Sequence, residues 1–310
     1  MLFLNDKPIE RGVFPNQETY LKTELLEGMD QTERLPRSGN EIKMVFEDNN
    51  DLVDLMMLKR YLDDAGYKDT TLYAPYFPYS TMDHTDGTKP LALKYVAELI
   101  NELNFSLVRS LEPHSMVLNA LVNRFHDDYT SVDMLYHAIA DIASDNSTSE
   151  ASGRIFVCFP DDGAQKRYSG MIRETSQYLS GADGMYPFEK EQLCFTKHRD
   201  FDTGRITGMN CVSSLPAFSE KDVCVILDDL CRAGRTFTEC ASILKANGCK
   251  TVYLAVTHLE KVCTKNILRP ESPVDKIFAT NSCLPNGYDD LKIPDVTDFD
   301  PRSKLYLQLV

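Results

Sequence analysis

The chain has 310 residues, 43% of them hydrophobic, which is enough for about two domains of roughly 100–200 residues each with a sizeable core. A net charge of −14 excludes a general nucleic-acid surface, although an acidic protein can still carry a local basic pocket. No apolar run approaches the roughly 20 residues of a membrane span. The start MLFLNDKPIERG lacks the basic segment and long apolar core of a signal peptide, so a cytoplasmic protein away from membranes is expected.

In chain order, IKMVFE (42–47) reads as a strand, and DLVDLMMLKRYLDDAG (51–66) as an amphipathic helix with Leu52, Leu55, Met56, Leu58 and Leu62 inward and Gly66 closing it. TLYAPYF (71–77) is a strand ending in the loop YSTMDHTDGTK. KPLALKYVAELINEL (89–103) is a helix with Pro90 near its first turn. SLVRSLEP (106–113) is a strand followed by His114. The polar, small stretch SDNSTSEASG (144–153) is the most linker-like in the chain, and it places a domain boundary between 146 and 147.

Beyond it, RIFVCFP (154–160) reads as a strand, PDDG follows, and a helix starts near Gly163. LCFTKHRDFDTGRITG (193–208) reads as an irregular or hairpin segment. The unbroken apolar run Val223–Leu227 is how a strand buried on both faces reads. It leads into Asp228-Asp229, a short turn with Gly234, and a helix opened by Thr236; TVYLAVTH (251–258) is a further strand. Alternating strands and helices predict an α/β fold of two tandem domains, each a mainly parallel sheet flanked by helices. All nine cysteines lie from Cys158 onward, with no CxxC pair and irregular spacing, as expected of reduced core thiols rather than a zinc site or disulfide framework.

Candidate ligand residues gather where strands end, the edge at which open α/β sheets bind ligands. Asp83 and His84 follow the second strand, His114 the third, Asp161 and Asp162 the fourth, and Asp228 and Asp229 the fifth. Each alone is a weak signal, a lone His after a strand being more often a cap or surface group; their recurrence points to a site. Paired carboxylates suit sugar hydroxyls or Mg²⁺, and the helix start after Gly234 suits a phosphate. Lys197 and Arg199 alternate along an extended segment, so both cations can face one transferring phosphoryl group.

The order of these motifs resembles the ribose-phosphate diphosphokinase (PRPP synthetase) family, of the type I phosphoribosyltransferase structural class, from about Phe14 to Pro285. FPNQE (14–18) resembles the family's adenine-contacting FPDGE. The segment 74–94 resembles its ATP loop, and LEPHS (111–115) its DLHA. FPDDG (159–163) resembles its PDxG, FTKHR (195–199) its catalytic KxR loop, ILDDLCRAGRT (226–236) its ribose-5-phosphate loop, and VTHLE (256–260) its VTHG segment. The resemblance implies Mg²⁺-dependent transfer of the β,γ-pyrophosphoryl group of ATP to a ribose C1 hydroxyl, releasing AMP. It implies Lys197, Arg199 and His114 in catalysis, and Phe14, Asn16, Glu18, Asp83, His84 and His114 on ATP. It implies Asp228, Asp229, Arg232, Ala233, Gly234, Arg235 and Thr236 on the ribose phosphate, and His114, Asp161, Asp228 and Asp229 at the metal. It also implies a homo-oligomer in which Phe14, Asn16 and Glu18 serve a neighbouring subunit.

The sequence departs from the family pattern at three places. The ATP-loop Arg-Gln is Thr81-Met82, the metal-side Asp of DLHA is Glu112, and the phosphate loop carries Arg232 for an acid and Arg235 for a glycine. The last change raises the local charge by three, which suits additional phosphate because guanidinium matches phosphate bidentately. The acceptor expected is therefore a 5-substituted ribose such as ADP-ribose, giving ADP-ribose 1-pyrophosphate for NAD salvage. Ordinary ribose 5-phosphate, a non-catalytic regulatory relative, and a phosphoribosyltransferase that consumes a pyrophosphorylated ribose are the alternatives. The family's C-terminal tail is expected to be shortened, and its hexameric control with it.

Overall fold

The computed structural model of the chain describes residues 1–22, 35–128, 131–146, 153–181, 192–199, 206–292 and 300–310; the side chains of 131–132, 143–146, 173–181, 197–199 and 206–207 lie outside that description. Two compact units divide the chain, Met1–Tyr129 and Thr130–Val310.

The first unit comprises β1 (Leu2–Leu4), β2 (Lys7–Ile9), β3 (Arg11–Val13), β4 (Thr19–Leu21), β5 (Glu41–Met44), α1 (Asn50–Asp64), β6 (Thr71–Tyr73), α2 (Ala92–Glu102), β7 (Val108–Leu111), α3 (Val117–Leu121) and β8 (Phe125–Asp128). Its sheet runs β2-β1-β5-β6-β7-β8, with β5 to β8 parallel and β1 and β2 an antiparallel edge; β3 and β4 form a separate hairpin. Alternation decides which face is covered. Ile42, Met44 and Leu72 are fully buried against Leu55, Leu58 and Leu62 of α1 and Leu93 of α2, whereas Glu41 and Lys43 stay half-buried. Burial of one such aliphatic side chain stabilises the fold by about 1.5–3 kcal/mol.

The inward face of α1 differs from the expected one. Met56 is exposed and Leu52 half-buried, while Asp51 and Asp54 are buried. Arg11 on β3 pairs with both acids, Thr19 Oγ1 on β4 donates to Asp54 at 2.7 Å, and the Met1 amine donates to Asp51 at 2.8 Å. These partners stand on three-residue N-terminal strands too short to show in the sequence pattern, and they rotate α1 so that 51, 54, 55, 58 and 62 share one face. Helix α2 also starts later than expected, with Pro90 two residues ahead of it.

The second unit comprises α4 (Ser131–Asn146), β9 (Ile155–Phe159), α5 (Asp162–Gly181), β10 (Leu193–Arg199), β11 (Ile206–Cys211), β12 (Val223–Cys231), α6 (Arg235–Ala246), β13 (Thr251–Leu259), β14 (Lys276–Thr280) and β15 (Leu305–Gln308). The sheet order is β11-β10-β9-β12-β13-β14-β15, and within it β11 alone is antiparallel to its neighbour. Apolar layers cover both faces. Val223, Val225 and Leu227 meet Met134, Leu135 and Ile139 of α4 and Tyr168 of α5, and Cys224 and Ile226 meet Phe237, Cys240 and Leu244 of α6. This is why β12 reads as a continuous apolar run.

The expected α/β class with two mainly parallel, helix-flanked sheets holds. The units part at Tyr129/Thr130, one helix before the 146/147 boundary drawn from composition, because α4 buries its apolar face on β12 and β13 of the second unit. All nine cysteines are free thiols, seven of them buried. Among the described residues, no helix is long and apolar enough to cross a membrane.

Candidate functional site

In the second unit the site begins inside a strand rather than after one. The sequence reading ended the strand at Leu227, yet the ladder continues, with Asp228 opposite Val256, Leu230 opposite His258 and Cys231 opposite Leu259. Ladder pairing at Asp228 and Leu230 fixes the backbone on both sides of Asp229, and the two carboxyls stay within hydrogen-bonding reach of each other. Asp229 is buried and its carboxylate lies 3.7 Å from Arg167 Nη1 of α5. Asp228 is half-buried and accepts the Asp229 N–H at 3.0 Å. Burial first, and then the charges of Asp229 and Asp161, push the Asp228 carboxyl well above the usual range. Asp161 caps α5 from the residue before it, its carboxylate accepting the Ala164 N–H at 3.0 Å.

Two like charges thus bear on the Asp228 carboxyl, and an incoming cation or pair of hydroxyls relieves them. Among the described residues no group of three His, Cys, Asp or Glu side chains already converges to hold a metal. These hard oxygen donors nonetheless fit Mg²⁺, which takes one or two carboxylates and completes its shell with substrate phosphates and water.

The turn after β12 is built around one glycine. Gly234 has φ +78°, and a Cβ there would lie 2.5 Å from the Cβ of Ile267, so both backbone and space demand glycine. Asn266 Nδ2 fixes the turn by donating to Ala233 O at 2.8 Å. Helix α6 starts at Arg235, one residue before the expected Thr236, and no side chain caps it. Its first-turn N–H groups and positive dipole end form an anion seat next to the carboxylates. Arg235 is exposed on that first turn. Arg232 is not unpartnered: its Nε lies 3.1 Å from Glu260 Oε1.

Lys197 and Arg199 lie on β10, opposite Met209 and Ile206 of β11, with a register shift between His198 and Arg199. The expected hairpin is therefore present. The side chains of Lys197 and Arg199, on which the catalytic reading rests, lie outside the described residues.

The first unit gathers a second group. His84 Nδ1 lies 2.8 Å from Asp83 Oδ1. Burial pushes the Asp83 carboxyl up, but hydrogen bonds from Ser115 and His84 and the nearby His114 outweigh it and hold the carboxyl below its ordinary value. Asp83, His84 and His114 therefore share one neighbourhood. The chain reaches His114 through Glu112, which is fully buried at φ +36° and whose N–H donates to Asp128 O at 2.8 Å. Leu111 N and Ser110 Oγ donate to Pro75 O at 3.0 and 3.3 Å and tie this segment to the end of β6. Phe14, Asn16 and Glu18 form the exposed tip between β3 and β4. Phe14 N–H donates to Glu18 O at 2.8 Å, Glu18 N–H donates to Asn16 Oδ1 at 3.2 Å, and the Phe14 ring lies 4.9 Å from that of Tyr20.

Four contributors escaped the sequence reading: Arg167, Ser115, Glu260 and Asn266. Arg167 sits one helical turn past Gly163, on the face that looks back to the strand end, and that spacing was a usable signal. Glu260 and Asn266 come from beyond the next strand, and only the fold brings them to the turn.

No family model matches the chain. It is 26% identical over 243 residues to a ribose-phosphate pyrophosphokinase of Hyphomonas neptunium, covering 77% of this chain and 70% of that one. It is 26% identical over 294 residues to that of Rhodopirellula baltica, covering 92% and 82%. For that of Saccharolobus solfataricus the figures are 24%, 92% and 88%. Among solved structures, phosphoribosylpyrophosphate synthetase from Mycobacterium smegmatis superposes with a TM-score of 0.65 at 16% identity, covering 97% of this chain and 86% of that one, a likeness of fold.

Proposed function

We propose that this chain, a diphosphotransferase that belongs to the ribose-phosphate pyrophosphokinase family, transfers the β,γ-pyrophosphoryl group of ATP to the C1 hydroxyl of a ribose 5-phosphate compound. The C1 hydroxyl gives up its proton to solvent as its oxygen bonds to the β-phosphorus, the bond from that phosphorus to the oxygen bridging to the α-phosphate breaks, and AMP leaves with that oxygen. The observation that carries the reading is the uncapped start of α6 after the Gly234 turn, directly beyond two strand-borne carboxylates. Backbone N–H groups at Arg235 and Thr236 hold the 5-phosphate, and Asp228 and Asp229 orient the ribose hydroxyls. Asp83, His84 and His114 hold ATP. Phe14, Asn16 and Glu18 serve the adenine of a neighbouring copy in a homo-oligomer, a role that their exposure suits. Lys197 and Arg199 stabilise charge on the phosphoryl groups in transfer. Asp161, Asp228 and Asp229 in the second unit, and His114 separately in the first, are the candidate ligands of Mg²⁺, which when bound would neutralise phosphate charge.

The acceptor we favour carries a further group on its 5-phosphate, as ADP-ribose does, with ADP-ribose 1-pyrophosphate as product and NAD salvage as its use. Arg235 supports this, since it has no ion-pair partner among the described residues and stands on the phosphate-binding turn. Ordinary ribose 5-phosphate is the second reading, favoured by the Arg232–Glu260 pair, which neutralises one of the two added cations. Supplying ATP and Mg²⁺ with each acceptor, and reading AMP release and product mass, decides between them. Faster turnover with ADP-ribose is expected, and equal or better turnover with ribose 5-phosphate removes the larger acceptor.

A further inference from the structure

Two strands flank β12 in the sheet, and each delivers one acid beside the phosphate turn: Asp161 after β9 and Glu260 after β13. The proposed reaction uses Asp161 and leaves Glu260 without a role. The position of Glu260 is well defined. Its N–H donates to Cys231 O at 2.9 Å, which carries the β12–β13 pairing one residue past the ladder and up to the turn. Its Oε1 lies 3.1 Å from Arg232 Nε, with the acid side chain 30% exposed and the arginine 49%. Burial pushes this carboxyl up more than Arg232 pulls it down. The pair therefore leaves the acid incompletely compensated and open to exchange of partners.

A monoester phosphate seated on the α6 N–H groups makes no demand on Arg232. A second phosphoryl group attached to the first lies further out, and it competes with Glu260 for the same guanidinium fork. The diphosphate taken as a whole carries more charge and more acceptor oxygens than a single carboxylate, so the exchange favours the ligand once it is present.

We infer that Glu260 is a positioning residue that sets acceptor specificity, holding Arg232 beside the phosphate turn and releasing it to the second phosphoryl group of a diphosphate-bearing acceptor. The inference deepens the ADP-ribose reading and rests on it. Its consequence is that Glu260 penalises diphosphate acceptors relative to monophosphates through Arg232 and through no other group.

The test measures kcat and KM for ADP-ribose and ribose 5-phosphate in the full chain, its Glu260→Gln and Arg232→Lys variants, and the combination of Glu260→Gln with Arg232→Ala. Removing the competing charge from an isosteric side chain is expected to raise the preference for ADP-ribose, as the ratio of kcat/KM values, about tenfold, with the change in KM. Arg232→Lys keeps the charge and loses the planar fork, so it is expected to lower that ratio. With Arg232→Ala in place, Glu260→Gln is expected to have no further effect on it. A Glu260→Gln effect equal for both acceptors, carried in kcat alone, or persisting without Arg232 overturns the inference. Absence of AMP release by the unaltered chain with every acceptor overturns the functional reading instead. The inference is then read from calorimetric titration with inorganic pyrophosphate against phosphate, where Glu260→Gln is expected to tighten pyrophosphate selectively and equal tightening overturns it.

Discussion

The proton affinity of Asp228 is the residue-scale property with the clearest functional consequence. Burial and the charges of Asp229 and Asp161 raise it, and Arg167 is the cation that opposes that charge from α5, 3.7 Å from Asp229. A carboxyl that must be ionised to orient hydroxyls or meet Mg²⁺ imposes an acidic limb on the pH–rate profile. Replacing Arg167 by Gln withdraws the opposing cation, so the aspartate pair holds its proton to higher pH. The acidic limb of kcat/KM is expected to move to higher pH. A pH–rate profile of Arg167→Gln against the unaltered chain checks this, and a limb that stays put or moves down refutes the coupling.

At the scale of elements, Asp222 ties the starts of two neighbouring strands. It precedes β12, is buried, and accepts from Arg154 Nη2 at 2.6 Å, from Arg154 N at 2.9 Å and from Ser219 N at 2.8 Å. Burial pushes its carboxyl up, but these donors outweigh burial and bring it down to about 2. A depressed carboxyl contributes stability that is complete above the unfolded-state value near 3.8 and is lost as pH falls through about 2. Asp222→Asn is therefore expected to cost about 2 kcal/mol at pH 7, and clearly less at pH 3. Urea midpoints at the two pH values test it, and an equal loss at both removes the ionic contribution.

Elements also show how far the sequence could be read. Val223–Leu227 was legible because both faces are covered and the residues form one apolar run. The remainder of β12 was not, because the acids break that run while the ladder continues to Cys231. Lys197 and Arg199 were correctly placed on a hairpin, since alternation survives in short antiparallel strands. Met56 was misassigned because the charges that orient α1 come from Arg11 on a strand of three residues and from the Met1 amine just before another, neither with a pattern of its own. The aspartates, the glycine turn and the arginines marked the proposed phosphate site by residue type. Glu260 closes the VTHLE segment but nothing there marks it as a partner of the turn, nothing in the local sequence marks Asn266, and only the fold brings the two to it.

At the scale of the molecule, the boundary between the two units decides which chain can fold alone. Composition placed it in the polar stretch 144–153, but polar composition marks where a chain is solvated, not where a core ends. Met134, Leu135, Ala138, Ile139 and Ile142 of α4 are buried against Val225, Leu227 and Ala255 of the second unit's sheet. At about 1.5–3 kcal/mol for each of the larger side chains, removing α4 forfeits roughly 6–12 kcal/mol, as much as the whole stability of a typical domain. It also uncovers the face of β12 that carries Asp229. A chain starting at residue 130 is therefore expected to unfold in one cooperative transition and to bind inorganic phosphate at the α6 turn. A chain starting at residue 147 is expected to aggregate or show no transition at all. Calorimetry and phosphate titration of the two shortened chains compare them directly. Equal stability of the shorter chain would move the boundary back to the linker and make α4 a part of the first domain.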